Sequence, residues 1–192
     1  LLAAGRAASA WRAWGWTDDD RFYSRAGREN PGSPRARLGL GVAFAEGGDK
    51  EGAVREFLRA ARLDPREPWP YFNLGKLAWE AGERGPAEEL FLEAHARNPR
   101  LSPVLVFLGL AAEARGDHAQ AQARYRRALE VQPLDATAAH GLGILLWRRG
   151  RRGEAAELLR RFLELAPRDA ESGAVRSLLN SPGSPREGDR RD

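Results

Sequence analysis

The chain has 192 residues, 42% apolar and 30% charged, and 31 Lys+Arg against 27 Asp+Glu leave a formal charge of +4. That composition excludes collagen-like and wholly disordered chains, and the near balance of charge speaks for solubility rather than for nucleic acid as a partner. Cysteine and methionine are both absent, which excludes disulfides and thiolate metal sites and predicts a fragment or a processed chain.

The first segment, Leu1 to Trp16, is apolar but interrupted by Arg6 and Arg12. It falls short of the roughly 18 to 20 apolar residues that span a bilayer, and its charge order is wrong for a secretory signal. Thr17 followed by Asp18, Asp19 and Asp20 predicts a helix start, a cap and then acids at the positive helix end. Consecutive acids point different ways around a helix, so they do not form a metal site. Residues 1–33 therefore read as a degenerate half-repeat or membrane-proximal cap.

From there a 34-residue step governs the chain, and such a period is the mark of a repeat array. Prolines fall at Pro31, Pro65, Pro99, Pro133 and Pro167. Leu40-Gly41, Leu74-Gly75, Leu108-Gly109 and Leu142-Gly143 keep the same step, as do Gly48, Gly82, Gly116 and Gly150. So do Ala53, Ala87, Ala121 and Ala155, then Tyr23, Phe57, Phe91 and Tyr125, with Leu159 in the fifth place. Ala26, Ala60, Ala94 and Ala128 follow, and Phe162 breaks their series. Apolar residues recur at helical spacing in two blocks per repeat, with a turn glycine between the blocks. Small residues at Gly41 and Ala53 let the two helices approach, and Pro65 ends the second helix. Each unit is predicted to be a helix hairpin whose apolar face needs a neighbour. The repeats are 34–67, 68–101, 102–135 and 136–169. Residues 170–180 form a capping helix with Val175, Leu178 and Leu179 buried, and 181–192 is a disordered tail.

Nothing along this array suggests catalysis or a cofactor. His95, His118 and His140 fall at three different repeat positions, and none pairs with another at ligand spacing. The glycines are accounted for by the repeat, and the carboxylates are expected on polar helix faces. Arg148, Arg149, Arg151 and Arg152 surround one turn and read as a solvated basic face, with an anionic surface as their sharper reading.

The pattern of small, large and proline positions resembles the tetratricopeptide repeat (TPR) family over roughly 34 to 169. The resemblance implies an all-α, right-handed α-solenoid, and it implies that the first helices line a concave groove holding a peptide or helix. Mapped onto this sequence, the groove is Trp69, Phe72, Asn73, Lys76 and Trp79 in the second repeat. In the third and fourth it is Phe107, Leu110, His140, Ile144 and Trp147. Large aromatics in such a face dominate binding energy. Asn73 stands at one place of the family's carboxylate clamp, but Leu38, Val42, Pro103 and Phe107 replace its partners. An apolar or amphipathic protein segment is therefore the expected ligand, with no metal and no nucleic acid.

At the front, Trp11, Trp14 and Trp16 beside Arg6 and Arg12 suit a membrane surface. With Asn30-Pro31-Gly32-Ser33, this junction resembles the region after the last membrane helix in transmembrane-and-TPR proteins related to protein O-mannosyltransferases. That resemblance implies an extracytoplasmic, periplasmic TPR tail on a polytopic glycosyltransferase, positioning acceptor proteins. The expected partner is then a protein segment or the membrane part of the same chain.

Overall fold

The structure, a computed structural model, describes residue 30 and residues 32–181. Nearly all of the expected front unit, with Trp11, Trp14, Trp16 and the Asp18–Asp20 run, lies outside the described residues, as does the tail beyond Ser181. The chain divides into two compact units, Leu1–Pro99 and Arg100–Asp192.

The first unit contains α1 (Pro34–Glu46), α2 (Lys50–Leu63), α3 (Pro68–Glu80) and α4 (Arg84–Arg97). The second contains α5 (Ser102–Ala114), α6 (His118–Val131), α7 (Ala136–Arg148), α8 (Arg152–Leu165) and α9 (Ser172–Leu179). In each unit consecutive helices pack as hairpins, and the first helices of neighbouring hairpins also touch, α1 with α3 and α5 with α7.

Five of the nine described helices start on a side-chain cap, which satisfies an amide that has no partner inside the helix. The Ser33 hydroxyl accepts from the Ala36 amide at 3.3 Å, and Asp49, Asp117 and Asp135 accept from Gly52, Gln120 and Ala138 at 2.8–2.9 Å. The turn inside every hairpin is the same. Gly48, Gly82, Gly116 and Gly150 have φ of 84°, 85°, 78° and 78°, a left-handed conformation that costs a residue with a Cβ. The next amide then reaches back five residues, from Asp49 to the Phe44 carbonyl and from Glu83 to that of Ala78, both 2.9 Å.

The Leu-Gly glycines serve close packing of the two helices. A Cβ on Gly41 would stand 2.6 Å from the Phe57 ring, and one on Gly109 would stand 2.6 Å from that of Tyr125. The sequence paired Gly41 with Ala53 through their size. The structure shows that the aromatic ring of the second helix is what fills the space. Phe57, Phe91 and Tyr125 are fully enclosed, as are the repeating alanines beside them.

Three polar ties were not expected from the sequence, which placed carboxylates on polar faces, and two of them are buried. Glu56 of α2 is buried and accepts from Arg37 of α1 at 2.9 Å and from Arg59 at 2.6 Å. Asp135 is buried and receives the Ser102 hydroxyl and the Ala138 amide, joining the starts of α5 and α7. Arg97 stacks 3.7 Å over Tyr71 and donates to the Pro65 carbonyl at 2.7 Å, fastening the loop before α3.

The last helix, α9, is shorter than the expected 170–180. Val175 is enclosed by the α8 side of the unit, whereas Leu178 and Leu179 are only half-buried. Phe162, which breaks the alanine series, is accommodated by the ring of His140 at 4.7 Å.

Candidate functional site

In the first unit the expected groove residues sit on α3. Trp69 meets Phe72 edge to face at 5.6 Å, and Phe72 lies 6.0 Å from Phe91 of α4. Trp79 lies 6.4 Å from the same Phe91, and the Arg84 guanidinium stacks over it at 3.7 Å while donating to the Trp79 carbonyl at 2.9 Å. Trp69 and Trp79 are half-buried, whereas Phe72 and Asn73 are buried. Phe91 thus gathers the α3 aromatics into one cluster, with both tryptophans half-buried at its border.

Lys76 is the unusual member, with only 4% of its surface exposed. Burial removes water from the ammonium and pulls its pKa down from 10.5 to about 7, against the upward pull of Glu80 and Glu46. Near neutral pH the amine therefore lies close to the midpoint of its titration.

In the second unit the sites divide between α5 and α7. Phe107, His140 and Trp147 are buried, while Leu110 and Ile144 are half-buried. Trp147 carries Arg152 at 4.8 Å over its ring, the same arrangement as Trp79 with Arg84 two repeats earlier. His140 packs on Phe162. Glu113 of α5, which the repeat also maps to the groove face, accepts from the Tyr125 hydroxyl at 2.8 Å and lies 3.9 Å from Arg148. Glu113 holds the repeat position of Trp79 and Trp147, facing the residue that aligns with Phe91. Among the described residues no group of three His, Asp or Glu side chains is placed to hold a metal ion. Nor is any described helix long and apolar enough to cross a membrane.

Hairpins of this size, joined by one turn and stacked through a glycine–aromatic seam, define an all-α helical-repeat protein. Two family profiles agree: one described as "Tetratricopeptide repeat" matches residues 106–170, and one described as "TPR repeat" matches residues 41–82. The chain belongs to the tetratricopeptide repeat family and has its all-α solenoid fold.

Solved structures share this fold. TTC0263, a thermophilic TPR protein of Thermus thermophilus, is 24% identical with a TM-score of 0.71, covering 92% of this chain and 97% of that one. MamA is 21% identical with a TM-score of 0.61, over 89% and 98% of the two chains. YrrB, described as a TPR protein with an unusual peptide-binding site, is 18% identical with a TM-score of 0.63, over 83% and 84%. Among curated proteins none matches the sequence.

Proposed function

We propose that the chain is a non-catalytic scaffold that binds an apolar or amphipathic protein segment on the first-helix faces of its repeats, 34–67, 68–101, 102–135 and 136–169. The observation that carries this is the pairing of rigid aromatic clusters with half-exposed edges. Trp69 and Trp79 are held in place by Phe72, Phe91 and Arg84, yet both residues are half-buried rather than enclosed. Pre-fixed aromatic edges bind with little loss of side-chain entropy, which is why they dominate interface energies. Leu110 and Ile144 offer an aliphatic counterpart in the second unit. The peptide-binding site described for YrrB supports the reading by analogy of fold.

Selection from a random peptide library on the full chain tests it. Enriched peptides are expected to be apolar or amphipathic, and Trp69→Ala with Trp79→Ala is expected to lose them while helical content stays intact. Unchanged enrichment with that variant would remove the reading.

A further inference from the structure

Among the described residues four large apolar side chains stand exposed, and three of them lie on the second helices of the first unit. Leu58 of α2 is 43% exposed and Leu92 of α4 is 44% exposed, one repeat apart at the same position. Each is flanked by charge, and the sign changes from one helix to the next. Arg55 and Arg59 border Leu58, whereas Glu89 and Glu93 hold those two places beside Leu92. All four charged residues are exposed. Steps of three and four residues share a helix face, so each helix shows solvent a leucine between two like charges. The second unit has Arg126 and Arg160 at the leucine position, so among the described residues this patch belongs to the first unit.

The short connections at 47–49, 64–67 and 81–83 make successive helices antiparallel, which sends α2 and α4 in the same direction. A two-fold axis running along them brings the second-helix faces of two chains together, with α2 of one against α4 of the other. The facing helices are then parallel, and equivalent repeat positions meet. Leu58 falls opposite Leu92, Arg55 opposite Glu89 and Arg59 opposite Glu93, each pairing made twice. A surface that is basic on one helix and acidic on the next is complementary to itself, as an isologous contact requires. A foreign partner would have to reproduce both signs around both leucines.

We propose that the exposed face of α2 and α4 is a self-association surface, on which a second copy of the chain docks to form a two-fold dimer. The contact lies on the second helices, so it stands independently of the first-helix reading above.

Arg59 and Glu93 also hold Glu56 and Arg97 within their own chain, so the test reverses the other pair. In analytical ultracentrifugation the full chain is expected to sediment with the mass of two chains. Arg55→Glu and Glu89→Arg, each alone, set like charges against each other twice per dimer and should weaken self-association at least roughly tenfold. Mixed in equal amounts, the two variants restore both attractions and should pair again, a rescue that misfolding of either chain would not give. The register is read in the same full chain, which has no native cysteine. Leu58→Cys and Leu92→Cys chains, mixed and oxidised, should form disulfide-linked dimers in far greater yield than either alone. A single-chain mass at concentrations on the order of 1 mM, or a dimer indifferent to both charge reversals, would overturn the proposal. So would a mixture that shows no rescue, or linkage as efficient within one cysteine variant as between the two.

Discussion

The Tyr125 hydroxyl donates to Glu113 across 2.8 Å, at the repeat positions where Phe91 meets Trp79. The second helix presents an enclosed ring in both hairpins, and the end of the first helix supplies what that ring requires. Phe91 needs only an apolar cover, whereas the buried phenol needs an acceptor. Removing the hydroxyl with Tyr125→Phe leaves the packing and loses one bond to a carboxylate. We expect a loss of about 1.5–3 kcal/mol, less whatever Glu113 regains from water. Urea unfolding of the two chains measures it, and Phe57→Tyr should cost more than it gains, because Ala45 stands where Glu113 would be needed.

The glycine seam separates two kinds of helical glycine. Gly109→Ala forces a methyl group against the Tyr125 ring and should destabilise by about 1–3 kcal/mol. Gly85 lies in α4 with nothing within 4 Å of its added Cβ, so Gly85→Ala should stabilise by about 0.4–1 kcal/mol. Opposite shifts in the thermal midpoint of the two variants would confirm the distinction.

Lys76 makes stability depend on pH in the alkaline direction. Its folded pKa, near 7, lies below the ordinary 10.5, so between these values the unfolded chain binds more protons. Stability from this group should rise with pH across that window, by at most ~1.4 kcal/mol per unit, and stay flat below it. Lys76→Met removes the slope and should stabilise the chain at pH 7, provided that Glu46 and Glu80, at the edge of the face, remain hydrated. Chemical denaturation from pH 6 to 9.5 gives the comparison.

The Ser102–Asp135 tie predicts an asymmetry between its partners. Ser102→Ala leaves Asp135 with its Ala138 bond and should cost about 1–3 kcal/mol. Asp135→Ala removes a helix cap as well and should cost more, by about 1 kcal/mol. Equilibrium unfolding of the two single variants and the double separates the shared term.

Much of the hairpin architecture is legible because it repeats. A proline two residues beyond each second helix, a glycine at each positive-φ turn and an alanine at each close approach have one physical solution per position. The partners of Glu56, Asp135 and Glu113 are not legible in the same way. Each depends on a single side chain from another helix, such as Arg37, Ser102 or Tyr125, and a period averages such singular contacts away. Trp79 and Trp147 show the limit from the other side. Their spacing picks them out, but only the folded chain reveals Arg84 and Arg152 stacked on their rings. Leu178 and Leu179 have the apolar pattern of a buried stripe, yet both are only half-buried.

The central claim is that the first-helix face holds a protein segment through its fixed aromatic edges. The most direct measurement is calorimetric titration of a library-selected amphipathic peptide into the full chain and into its Trp69→Ala/Trp79→Ala variant, with circular dichroism confirming that both are equally helical. The account predicts at least a roughly tenfold loss of affinity in the variant, about 1.4 kcal/mol or more. Equal affinity in two equally helical chains would contradict it.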